Sequence, residues 1–242
     1  MKSMDLVQAA CPKIGSLGAA FYFDPTTVAK GKELGLDGFR FYMLGRGGVL
    51  GDVEPQVIQS AFGYFEPALI TKIWNSAKER MAPRDAATAY LEAAHEFGRR
   101  TFGDIEGLDA CCAAAEAVND AANPAALPLY AGLSAEPLAD DLPARAMQLT
   151  AVLREYRGSV HLVALRAKGL DDGIAHAIKR PDDVATFGWA EAPTITDADR
   201  AKHEAAEALT DELVLEAYGV LDDAGGDALM AGLDAMEAAV GS

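Results

Sequence analysis

Residues 153–172 read LREYRGSVHLVALRAKGLDD, and they set Arg154, Arg157 and His161 three, four and seven positions apart. A helix stacks those positions along one face, with Gly158 between them. Two guanidinium groups offer fixed donors for a carboxylate or phosphate, and the imidazole can serve as acid, base or axial ligand of a haem iron. Gly158 leaves room for a ligand or an opposing backbone to approach. Tyr42, Tyr64, Phe65 and Trp74 can supply the apolar wall that a cofactor or drug-sized ligand prefers. The competing reading is a structural polar knot. In it the arginines pair with carboxylates such as Glu66 or Glu155, and the histidine bonds to backbone inside the core.

Other chemistry is thinner. Glu92-Ala-Ala-His95 puts a carboxylate and an imidazole on one helix face, as di-iron carboxylate bundles require, but such bundles need a second Glu-x-x-His and two further glutamates. His203 and Glu207 are four apart, and Glu66 abuts a proline at a helix start. No metal site is therefore expected, with Glu92 and His95 as the weak candidates. Cys11, Cys111 and Cys112 are an odd set without metal-ligand spacing, and the adjacent pair lies among alanines that would stabilise a thiolate poorly. Gly45-Arg46-Gly47-Gly48 lacks the preceding strand and the following lysine-serine of a nucleotide loop, so a turn between helices accounts for it.

The elements that must position these residues are helical. Apolar residues recur at three and four spacing, interrupted by short Gly, Pro, Asp and Asn clusters, and alternating strand patterns are absent. The spacing predicts an opening helix disturbed by Pro12, a start at Asp24-Pro25-Thr26, and an aromatic-rich helix around 39–44 ending in Gly47-Gly48. Two helices meet near Glu66-Pro67, followed by a helix at about 84–102 and another in GLDACCAAAEAVNDAANP (107–124), ended by Asn123-Pro124. The stretch PLYAGLSAEPLADDLP reads as a connection, and the next helix runs from about 144 to 170, kinked at Gly158. A short helix near 173–178 precedes two more at about 197–221 and 226–240. Their apolar faces are Leu209, Leu213, Ala217 and Val220, then Leu229, Leu233, Met236 and Val240. Residues 1–190 are read as a helical core domain and 191–242 as an acidic extension, part of the same unit or a homodimerisation arm.

Half of the 242 residues are apolar and only 7% aromatic, which permits a sizeable core of closely packed helices without disulfides. No signal sequence or membrane span is evident, and the cysteine usage suits a reducing compartment, so the expected location is the cytoplasm. The net charge of −16 is concentrated: residues 182–242 hold 15 acidic residues against Arg200 and Lys202 alone.

Three segments, GFRFYMLGRGGVLGDVEPQVIQSAFGYFEPAL (38–69), LPLYAGLSAEPLADDLPARAMQLTAVLREYRGSVHLVALRAKGLD (127–171) and Gly188-Trp189, carry a resemblance. They are similar to an actinobacterial family of otherwise uncharacterised helical proteins with a C-terminal helix-turn-helix. The family phrase Arg-Glu-His-Arg-Gly-Asp-Gly-His is matched here by Arg154-Glu155-Tyr156-Arg157-Gly158-Ser159-Val160-His161, with Tyr156, Ser159 and Val160 departing from it. The resemblance implies an α-helical fold and little about chemistry. Where the family places a winged helix-turn-helix after Gly-Trp, this chain has EAPTITDADRAKHEAAEALTDEL, too short for that module.

DNA binding is therefore expected to be absent, since a strongly acidic final quarter repels phosphates. The expectation is an all-α, multi-helix orthogonal bundle that binds a small, partly apolar and anionic molecule between central helices. The pocket would be lined by Arg154, Arg157, Gly158, His161, Tyr42, Tyr64, Phe65 and Trp74, with haem through His161 as a minor possibility. The alternatives are an enzyme using His161 as general acid or base on an anionic substrate, a DNA-binding regulator, and a scaffold whose acidic helices dock another protein.

Overall fold

Acidic and hydroxyl side chains open most of the helices, and proline often follows them. Asp24, Asp37, Glu66, Asp141, Asp171 and Asp222 each accept a bond from a backbone N–H of the turn they start, and Thr196 does so in a reciprocal box with Asp199. Pro25, Pro55, Pro67, Pro83 and Pro128 stand at first helical positions, where a missing N–H breaks no bond.

The computed structural model describes residues 3–241; Met1, Lys2 and Ser242 lie outside the described set. Among the described residues there are twelve α-helices and no strand. They are α1 (Ser3–Leu17), α2 (Pro25–Glu33), α3 (Gly38–Gly47), α4 (Pro55–Phe62), α5 (Pro67–Lys78) and α6 (Pro83–Phe102). Then follow α7 (Leu108–Ala121), α8 (Pro128–Ser134), α9 (Leu142–Ala167), α10 (Asp172–Lys179), α11 (Asp197–Tyr218) and α12 (Asp223–Val240). The all-α bundle expected from the periodicity is the fold found.

Three expectations change. Pro12 sits inside α1 without ending it, because Val7, Ala10, Cys11 and Ile14 bury around it and hold the helix on course. The supposed connection after residue 127 contains α8, which buries Leu129 and Tyr130. Helix α9 continues through Gly158.

Helix α9 is the centre of the molecule. Neighbours α1, α6, α7, α8 and α11 surround it, so it buries side chains on nearly every side, including Met147, Leu149, Leu153, Tyr156, Val160 and Ala164. The same enclosure buries Gln148, Glu155, Ser159 and His161, each of which must find a partner inside. Gly98 lets α6 cross α9 closely: a β-carbon there would lie 2.4 Å from the Pro143 carbonyl oxygen.

The C-terminal helices pack on this body. Helix α11 lies against α9, α1 and α7, and α12 against α7 and α1. In α12 the expected stripe of Leu229, Leu233 and Met236 is buried within the chain, while Val240 is exposed. In α11 the buried stripe is Ala206, Thr210, Val214, Ala217 and Tyr218, and the expected Leu213 and Val220 are 45% and 54% exposed. An apolar count misplaced that face because Thr210 is completely buried through a hydrogen bond rather than through hydrophobicity. No helix of the described residues is long and apolar enough to cross a membrane.

Candidate functional site

The basic residues predicted to share a pocket are divided between two polar clusters along α9. The first forms around Glu155, which is almost completely buried. Arg46 grips it with two bonds, Nε to Oε1 at 2.8 Å and Nη2 to Oε2 at 2.7 Å. Arg154 donates to Oε1 at 2.8 Å, and the Tyr22 hydroxyl donates to the same oxygen at 2.8 Å. The Tyr42 hydroxyl accepts from Arg46 at 2.8 Å. Burial pushes the Glu155 carboxyl up, but the Arg46 and Arg154 charges outweigh it and hold it at about 2. Arg154 thus pairs with Glu155; Glu66 instead caps α5 by accepting from the Leu69 amide at 3.0 Å.

The second cluster joins α9 to α11. Arg157 Nη2 donates to Glu207 Oε2 at 2.9 Å and to Asp211 Oδ1 at 3.0 Å. His161 Nδ1 lies 2.8 Å from Thr210 Oγ1, which in turn lies 2.7 Å from the Ala206 carbonyl oxygen. A carbonyl can only accept, so the hydroxyl proton points to Ala206 and Nδ1 must carry the proton that bonds Thr210. The Nε2 lone pair then faces Glu207 Oε1 at 3.6 Å. His203 Nε2 is 3.9 Å from the same oxygen and is buried without a hydrogen-bond partner. Lys179 Nζ approaches it at 3.8 Å from the solvent side. Burial lowers His161 below the usual imidazole range, with Glu207 opposing. Ligand atoms of His161, His203 and Glu207 lie within 4.8 Å of one another.

The aromatic residues do not form one wall. Trp74 is fully buried, with Nε1 donating to the Val53 carbonyl at 2.9 Å. Phe65 stacks on Phe187 at 4.2 Å between centroids, and Tyr42 belongs to the Arg46 cluster. Tyr64 borders the second cluster: burial pushes its hydroxyl up, and the Glu207 and Asp172 carboxylates add to that effect. Its backbone is left-handed at φ 54°, and its carbonyl accepts from Trp189 Nε1 at 2.7 Å. Gly158 faces open solvent, with no atom near enough for a ligand or a crossing backbone to exploit its lack of a side chain.

Haem through His161 does not suit this geometry. The nitrogen that would take the iron faces Glu207 at 3.6 Å and lies beside the His203 ring, and a porphyrin plane, unlike a lone ion, would displace both. The weak metal candidates also have other work. His95 Nε2 bonds Gln148 at 2.9 Å, and Glu92 accepts from Arg99 at 2.9 Å.

Two cavities stand out. One of about 30 Å³ lies beside Tyr22, Arg46, Tyr90 and Glu155, with room for water and nothing larger. The other, of about 250 Å³, is a groove lined by Gln56, Gln59, Ser60 and Gly63, by Leu162 and Arg166 of α9, and by Asp172. Arg154, Arg157 and His161 line neither. Sequence spacing missed the groove because its residues come from three separate segments. It did register His203 and Glu207 as a pair one turn apart, without the distant imidazole that completes them.

Helices α4 and α5, of 8 and 12 residues, are joined by residues 63–66, in which Gly63 has φ 57°. The model of a helix-turn-helix family matches residues 7–180, a span that runs from α1 to the end of α10. No curated protein and no solved structure matches the chain.

Proposed function

The chain belongs to a helix-turn-helix family, and from that premise we propose that it is a regulator-type protein whose task is to recognise a small polar molecule. The observation that carries this reading is the groove of about 250 Å³ between α4 and α9. Arg166, Gln56, Gln59 and Ser60 bring a guanidinium, two amides and a hydroxyl to one concavity, with Leu162 and Gly63 as its apolar floor. With the Asp172 carboxylate on the same lining, that set suits a compact compound carrying a carboxylate or phosphate for Arg166 and a donor or cationic group for Asp172, in a volume close to the lower end of small-molecule sites. Arg154, Arg157 and His161 serve here as the frame that locks α9: Arg154 Nη1 bonds Glu155, Arg157 Nη2 bonds Glu207 and Asp211, and His161 Nδ1 bonds Thr210, while Arg157 Nε is buried without a partner. Non-catalytic binding is favoured over catalysis by His161, whose residue is only 3% exposed and whose two nitrogens face Thr210 and Glu207. In this reading α11 and α12 stand where the resembling family carries its winged DNA reader.

Thermal-shift and native mass-spectrometry screens against small carboxylates and organic phosphates test the proposal. A binder should stabilise the chain and lose its effect in Arg166→Ala, whereas an empty screen, or a binder indifferent to that change, refutes it.

DNA recognition is the second reading, favoured by the α4–turn–α5 geometry within the matched span. The exposed positions of α5 hold Thr71, Lys72 and Asn75, while Lys78 is bonded to Asp52. The net charge of −16 opposes it, because phosphate binding depends on basic side chains displacing counterions.

A further inference from the structure

We propose that His161, His203 and Glu207 form a binding site for a divalent first-row transition ion, held between α9 and α11. Two imidazoles and one carboxylate are the donor set that zinc, cobalt and ferrous iron accept, with a coordination position left for water. At metal–ligand bonds of about 2.0–2.1 Å, tetrahedral ligand atoms stand about 3.4 Å apart. The Glu207 oxygen already lies 3.6 Å from His161 Nε2 and 3.9 Å from His203 Nε2. Small movements of the half-buried His203 and Glu207 side chains bring the three into range.

Independent observations point to a cation rather than to mutual hydrogen bonding. The Thr210–Ala206 bond forces the His161 proton onto Nδ1, so its Nε2 presents a lone pair to a carboxylate oxygen, and two acceptors meet with no proton between them. That arrangement is also how an outer partner orients a metal-binding histidine. His203 Nε2 is buried and without a partner in the same place. Arg157 holds the other Glu207 oxygen at 2.9 Å, which keeps the carboxylate at the site and leaves Oε1 for the ion.

Lys179 is the competing cation. Its ammonium stands 3.8 Å from Glu207 Oε1, but its side chain is 53% exposed and can withdraw into water as the ion enters. A bound ion would then replace Lys179 as the counter-charge and tie α11 to α9.

The test uses the untagged full chain, stripped with chelator and titrated separately with cobalt(II) and zinc(II). Wild type should take up one equivalent of each, with visible ligand-field bands for cobalt and a metal-dependent rise in Tm. His203→Ala, which removes no hydrogen bond, should lower the metal-free Tm only by its lost packing, abolish the metal-dependent rise in Tm and weaken affinity by more than about a hundredfold. Thr210→Val should weaken it roughly tenfold by freeing the His161 ring, and Lys179→Ala should strengthen it. Absence of uptake by wild type overturns the proposal. So does uptake that both His203→Ala and Glu207→Gln leave unchanged, since that would be diffuse binding to surface carboxylates.

Discussion

Arg46 on α3 and Glu155 on α9 form a two-bonded ion pair, at 2.8 and 2.7 Å, across 109 positions of sequence. Tyr22 and Arg154 complete the satisfaction of a carboxylate that is almost wholly out of water. A pair of this kind adds little over a well-packed apolar substitute, yet its rupture leaves an unpaired charge in the core.

Glu155→Gln should therefore destabilise the chain by about 3–5 kcal/mol, read as a lower urea midpoint, because Arg46 and Arg154 lose their shared counter-ion. A loss below about 1 kcal/mol would show that water reaches the cluster.

The same carboxyl sets an acid limit. Its pKa is lowered from 4.5 to about 2 on folding, so its contribution is fully present above pH 4.5 and is lost as the pH falls towards 2. The loss attributable to this group is on the order of 3 kcal/mol. Denaturation followed from pH 6 to pH 2 should show that slope, and Glu155→Gln should flatten it.

Gly232→Ala tests whether α12 is integral to the body. A β-carbon there would stand 2.3 Å from Cys111 Sγ and 2.4 Å from Cys111 Cβ. Helices α7 and α12 must separate to admit it, at a cost of about 1–3 kcal/mol. Cys111→Ala removes only Sγ and should relieve part of the penalty, whereas Cys111→Gly also removes Cβ and should relieve more, both measured as double-mutant cycles in denaturant.

Thiol reactivity should be suppressed until the chain unfolds. Burial pushes Cys111 up to about 12 and Cys112 to about 11, and it raises Cys11 as well. Near pH 8 a thiol reagent should label the native chain slowly and all three cysteines rapidly in denaturant. Fast native labelling at any one of them would contradict the packing around it.

Against a mixed pool of labelled DNA duplexes at physiological salt, fluorescence anisotropy should register no binding. A tight complex that weakens steeply with added salt would favour α5 as a DNA reader and displace the small-molecule reading.

The sequence by itself determined the helical class, because three- and four-residue apolar spacing, capping residues and first-turn prolines act within a few positions of the chain. Glu66-Pro67 and Thr196 to Asp199 mark helix starts without reference to anything distant. It also determined where the negative charge lies and singled out α9 as unusually polar. What it left open was the choice of partner. Arg154 and Arg157 lie on one side of α9, yet one turns to Glu155 and Tyr22 and the other to α11. One residue of helix turns a side chain by about 100°, so the shift from Leu213 to Val214 decides which stripe of α11 meets the core. Only that packing brings Glu207 and His203 to His161 and closes a groove between α4 and α9, because such contacts depend on how helices cross and rotate.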